Sequence, residues 1–104
     1  MIAVDSLDKT IIQESLRNHK RELDSLGVQA IHIFGSVARK DANPKSDIDF
    51  LVTFKSGMKN FDNYINLTFL LEDLFEVKVD LLTSDSISGS LKQSVEKESI
   101  LIEV

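Results

Sequence analysis

The chain has no cysteine, which removes disulfides, thiolate metal sites and cysteine nucleophiles together and fits a reducing compartment. It has no apolar run approaching the ~18 residues that a membrane span needs. Its first residues also lack the basic and apolar regions of a signal peptide, so the expected location is cytoplasmic, with no membrane contact. Basic residues are in deficit: 12 Lys and Arg stand against 17 Asp and Glu, a net charge of -5. That balance disfavours direct nucleic-acid binding, because duplex affinity comes mainly from neutralising phosphates with Lys and Arg. No repeat, low-complexity tract or long linker divides the sequence. At 104 residues, 42% apolar and 28% charged, the composition is ordinary for a globular protein, and a single domain over residues 1–104 with one core is expected.

What is present is concentrated in two runs. Gly35-Ser36-Val37-Ala38-Arg39 follows an apolar stretch, so a strand should pass through a Gly-Ser turn into a short helical turn, leaving N–H groups unpaired where an anion could sit. After a polar loop comes Ser46-Asp47-Ile48-Asp49-Phe50-Leu51-Val52, which reads as a strand. Strand side chains alternate faces, so Asp47 and Asp49 should point the same way, about 6.5 to 7 Å apart. A phosphate cradle followed by two carboxylates suits a nucleoside triphosphate carried with its Mg2+.

Periodicity supplies the rest of the frame. Leu7, Ile11, Ile12, Leu16, Leu23 and Leu26 fall near helical spacing, with Asp8 in the first turn and Gly27 placed to stop a single first helix. Val28 to Phe34 predicts a strand, Asp41 to Ser46 with Asn43-Pro44 a loop, and Ile48 to Phe54 a second strand. Phe61, Ile65, Phe69, Leu70 and Leu74 predict a helix, and Val77 to Leu82 a third strand. Leu91, Val95 and Ile100 fit a weak helix and an edge-strand end. The fold class is therefore α/β (α+β): a small mixed β-sheet flanked by helices, with the helices expected on one face. Asp80 should then share the open side of the sheet with Asp47 and Asp49.

Three carboxylates on one patch resist full ionisation: two of them about 5 Å apart repel by roughly 3 kcal/mol at an effective dielectric near 20. A cation is implied. All-oxygen ligands without His or Cys select Mg2+ or Mn2+, and two such ions can stabilise the attacking and leaving oxygens of a displacement at phosphorus. The chemistry indicated is phosphoryl or nucleotidyl transfer.

Gly35-Ser36-Val37-Ala38-Arg39, Ser46-Asp47-Ile48-Asp49-Phe50-Leu51-Val52 and Lys78-Val79-Asp80-Leu81-Leu82 together resemble the minimal nucleotidyltransferases of the polymerase-beta-like superfamily, the MntA-type antitoxins. The resemblance runs from about Ile31 to Thr83. It implies a nucleotidyltransferase fold in which Gly35 and Ser36 hold the triphosphate of ATP, Asp47 and Asp49 hold Mg2+, and Asp80 serves the acceptor while completing the metal-binding set. It also implies a HEPN-domain toxin as partner, neutralised by transfer of AMP to a hydroxyl. The alternative is a catalytically silent antitoxin that blocks the toxin by stoichiometric binding. One departure stands out: the family usually has glycine where this chain has Lys40, so either a left-handed turn there is strained or the turn closes differently.

Other residues carry two readings each. Arg39 either contacts phosphate bidentately or pairs with Asp41 or another acid and fixes the loop. His32 is expected to be a hydrogen-bonded residue of the sheet, and His19 to be solvated. Phe61, Tyr64, Phe69 and Phe75 are expected to pack in the core.

Overall fold

The computed structural model describes residues 4–104. After a 3-10 turn at Val4–Ser6 come α1 (Lys9–Arg17), α2 (Lys20–Ser25), β1 (Val28–Phe34), α3 (Gly35–Arg39), β2 (Ile48–Phe54), α4 (Phe61–Phe75), β3 (Val79–Thr83), α5 (Gly89–Glu98) and β4 (Ile100–Ile102). The four strands lie in the order β3-β2-β1-β4, so β3 and β4 are the edges. β1 is antiparallel to β2 and to β4, whereas β2 and β3 run parallel through the α4 crossover.

The expected first helix is two. Asp8 caps α1 by accepting from the Ile11 N–H at 2.9 Å, and Gly27, at φ 79°, stops α2. Between them the His19 N–H donates to the Leu16 carbonyl, one residue short of the helical partner, and the His19 ring bonds the Ser15 carbonyl at 2.9 Å in its place. His19 is thus partly buried and bonded, where solvation was expected. The third strand starts at Val79, later than Val77, because its ladder with β2 begins at the Ile48 and Val79 pair.

Period-two alternation divides the sheet into unlike faces. Ile31, Ile33, Ile48, Phe50 and Val52 pack with Ile12, Leu16, Leu23, Leu67, Leu71 and Phe75 into the main core. Phe50 is fully buried, its ring 6.0 Å from that of Phe75. The opposite face is not bare, as a one-sided helical layer would leave it: Val95 of α5 and Ile87 close over Leu51, with Phe34 and Leu82 alongside. Of the four aromatics expected in the core, Phe75 is buried and Tyr64 partly so, but Phe61 and Phe69 are 76% and 58% exposed. Helix α4 is apolar on more than one flank, and only one flank meets the sheet.

Candidate active site

Strand register brings the two sequence runs together. Antiparallel pairing sets Phe34, the last residue of β1, opposite Asp49, and parallel pairing sets Asp80 opposite Asp49. The Gly35-Ser36 turn that opens α3 therefore lies beside the carboxylates. Gly35 has φ 69°, and a Cβ on it would collide with the Asp49 carboxylate, so both the backbone and the close approach require glycine. The cap position before α3 is Phe34, whose side chain offers no acceptor to the first-turn N–H groups.

The acids are not equivalent. Asp49 is pushed up to about 6 from 3.8, first by burial, then by the charge of Asp80 and a hydrogen bond with it, then by the charge of Asp47; Arg39 opposes the rise. Asp47 sits farther out, with one oxygen 3.9 Å from the exposed Lys78 ammonium. The expected three-carboxylate set is thus a close pair with a neighbour. Among the described residues no group of three or more His, Cys, Asp or Glu is gathered tightly enough to hold an ion alone. The fit to Mg2+ is nonetheless good, because that ion is commonly held by one or two carboxylates with substrate phosphates completing its shell. The raised pKa of Asp49 marks a site where positive charge would be welcome.

Arg39 makes the acid pairs that the second of its two readings expects. Its Nε donates to Asp41 at 3.2 Å and its Nη1 to Glu98 at 3.2 Å, tying α3 and its loop to the end of α5. Lys40 adopts φ 63°, the left-handed conformation at the α3 terminus. His32 lies opposite Leu51 and Leu101; its Nδ1 is buried with no hydrogen-bond partner among the described residues, and burial lowers its pKa.

Two features went unmarked in the sequence. Glu98, the second partner of Arg39, lies 59 residues away, too far for any local pattern to reveal. An open groove of about 400 Å³ runs from Asp49 and Asp80 past Phe34 and Leu82 to Tyr64 and Thr68 of α4. A cleft of about 420 Å³ between α2, β1 and β4 is slightly larger, but the three aspartates do not line it.

A family model described as "Nucleotidyltransferase domain" matches residues 16–102. A Methanocaldococcus jannaschii relative bearing the protein adenylyltransferase name is 42% identical over 93 residues, covering 88% of this chain and 94% of its own length. The protein adenylyltransferase MntA of Thermococcus cleftensis is 34% identical over 92 residues, covering 88% of this chain and 92% of its own. Among solved structures, a minimal nucleotidyltransferase superposes with a TM-score of 0.75 at 29% identity, over 90% of this chain and 95% of that one. A chain from the complex of tri-AMPylated Shewanella oneidensis HEPN toxin with MNT antitoxin superposes with a TM-score of 0.62 at 22% identity, over 88% of this chain and 71% of that one, a likeness of fold. The chain belongs to the nucleotidyltransferase domain family and is an enzyme of that class.

Proposed function

We propose that the chain, acting as one domain over residues 1–104, transfers AMP from ATP to a hydroxyl of a partner protein, a HEPN-domain toxin, and so serves as the antitoxin of the pair. The observation that carries the reading is the register pairing of Asp80 with Asp49 beside the Gly35-Ser36 turn. It brings two carboxylates beside a turn that opens a helix, which supports giving one to the nucleotide and the other to the acceptor. The name of the MntA relative supports a protein as acceptor, and the HEPN complex supports a HEPN-domain toxin as that protein.

In this reading the first-turn N–H groups of α3 and the Ser36 hydroxyl bind the triphosphate, and Asp47 and Asp49 hold Mg2+, with Asp80 beside them. Bound Mg2+ supplies charge neutralisation on the phosphates and on the leaving oxygen. Asp80 orients the acceptor hydroxyl and receives its proton. The acceptor oxygen bonds to the α-phosphorus, the bond from that phosphorus to the bridging oxygen breaks, and pyrophosphate leaves. Arg39, held by Asp41 and Glu98, keeps the α3 loop in place beside Asp49.

Incubation of wild type with a candidate HEPN-domain toxin, Mg2+ and labelled ATP tests this directly. Label and an AMP mass increment on the toxin are expected, together with a rise in melting temperature that needs Mg2+ and ATP together. Ligand at a hundredfold excess over Kd adds about 2.7 kcal/mol to the native state. Protection of cells with an unmodified toxin would instead establish the silent, binding-only antitoxin.

A further inference from the structure

We propose that Tyr64 and Glu72 of α4 are positioning residues for Asp80: they hold the backbone on either side of it and so fix where its carboxylate stands against the acceptor hydroxyl. This role rests on the AMP-transfer reading and adds two residues of α4 to that site.

Asp80 is placed where a sheet holds a side chain least firmly. Its strand, β3, is an edge, with β2 on one side and no strand on the other. Ile48 N–H donates to the Lys78 carbonyl and Ser84 N–H to that of Val52, so the even-numbered residues of β3 turn their backbone groups toward β2, whereas Val79 and Leu81 turn theirs outward. The Asp80 side chain is itself exposed, and its hydrogen bond is to another carboxyl, that of Asp49. Neither exposure nor an acidic partner anchors a carboxylate, so its direction depends on the strand.

Helix α4 stands in for the missing neighbour. Glu72 Oε2 accepts from the Val79 N–H at 3.2 Å, and the Tyr64 hydroxyl donates to the Leu81 carbonyl at 2.6 Å. The residue before Asp80 and the residue after it are thus tied to one helix. Tyr64 and Glu72 stand at i and i+8, on one face of α4, and meet β3 in reverse order, as helix and strand running antiparallel require. Thr68, midway between them, donates its hydroxyl to the Tyr64 carbonyl within the helix, which leaves the two ends of the row for the strand.

Both bonds are shielded from water, since Val79 and Leu81 are each 5% exposed, and a carboxylate accepting from a backbone N–H makes one of the stronger hydrogen bonds. Buried backbone groups need partners in any case. Their placement is what points to Asp80: Thr83, farther along the same edge, has its carbonyl bonded by the Ser86 N–H of the following turn, while the two α4 side chains are directed at the residues flanking the acid. Holding Val79 and Leu81 sets the peptide planes on either side of the Asp80 Cα, and with them the direction of its Cβ. A reacting group misplaced by about 1 Å can lose about a hundredfold in rate, so this backbone is worth fixing.

Transfer of label from ATP with Mg2+ to a candidate HEPN-domain toxin is measured for wild type, Tyr64→Phe and Glu72→Leu, each alone and combined with Asp80→Asn. Either single substitution should lower kcat by about tenfold, less than loss of the base itself, with KM for ATP and for the toxin unchanged. Glu72→Gln keeps an oxygen to accept the Val79 N–H and should recover most of that loss. Added to Asp80→Asn, neither substitution should cost more than about twofold further, because no carboxylate is left to position. A merely structural role would multiply the losses. Amide exchange reports on the strand independently: the Asp80 N–H should exchange faster in Tyr64→Phe and Glu72→Leu while the ladder between β1 and β2 stays protected. Tyr64→Phe removes a single oxygen, so its folded state should survive and decide the matter even where Glu72→Leu unfolds. Wild-type rates in the single variants, losses that multiply with that of Asp80→Asn, or unchanged exchange at Asp80 overturn the positioning role and leave AMP transfer standing. No label with wild type overturns the AMP-transfer reading and the role with it.

Discussion

On one face of β2, Ile48, Phe50 and Val52 are sealed from water, with Phe75 of α4 stacked on Phe50; on the other, Asp49 stays half open, as does Asp47 just before the strand, while Leu51, two residues beyond Asp49, is buried beneath Ile87 and Val95. Adjacent residues of one strand thus hold opposite duties. The sealed face supplies the cohesion that lets the open face tolerate carboxylates repelling one another. Helix α5 marks the boundary, covering the apolar half of the second face and leaving the charged half open beside α3.

The comparison breaks most sharply at Phe50. Truncating this fully buried, stacked ring to alanine should cost about 3 to 5 kcal/mol, read as a fall in the urea midpoint with unchanged slope. A loss of stability below about 1 kcal/mol would mean that the sealed face does not carry the fold.

On the open face the same logic predicts lost chemistry without lost stability. Under the proposed function, Asp80→Asn should cut AMP transfer by about a hundredfold or more, the scale of a general base, with ATP affinity and toxin association held. Mass spectrometry of the toxin after incubation with each protein decides this, and equal modification by both would remove Asp80 from the acceptor role.

Asp49 sharpens the contrast through pH. Its folded pKa of about 6 lies above the unfolded value of 3.8, so between those values the native state holds more protons than the unfolded chain. Stability should therefore fall as pH rises through roughly 4 to 6, and the loss should be complete above the folded pKa. Asp49→Asn removes that loss. Discounted for solvent screening at a half-buried carboxyl, the variant should be about 1 kcal/mol more stable than wild type at pH 7 and equal to it near pH 3. Denaturation midpoints across this range give the test; a variant less stable at pH 7 would contradict the account of burial and repulsion at Asp49.

Much of this arrangement was legible because it rests on short periods. Apolar runs and the turn residues that flank them located Val28–Phe34 and Ile48–Phe54 with their boundaries, and alternation set Asp49 and Asp80 on a common side once their strands were neighbours. What stayed hidden depended on distant partners or on side-chain competition. The first helix splits because the His19 ring takes the Ser15 carbonyl, which hydropathy does not record. Phe61 and Phe69 stand exposed because α4 has apolar residues on several flanks, and spacing does not say which of them the sheet will cover. Arg39 met Glu98 only once α5 crossed the open face.

The smallest expected effect concerns the joint between the two faces, where α3 ends. Lys40 sits at φ 63°, a left-handed conformation that costs a side-chain-bearing residue about 1 to 2 kcal/mol. Glycine removes that strain but also loosens the unfolded chain, an opposing term of about 0.4 to 1 kcal/mol. Lys40→Gly should therefore raise stability by about 0.5 kcal/mol, whereas Lys40→Ala, which keeps the Cβ, should leave it nearly unchanged. Lys40 is exposed and its N–H bonds the Val37 carbonyl in either variant, so no lost contact should confuse the reading. Denaturant midpoints of the three proteins side by side provide the measurement. Glycine and alanine variants of equal stability would show that the α3 terminus is not strained, and that Lys40 holds its left-handed conformation at no cost.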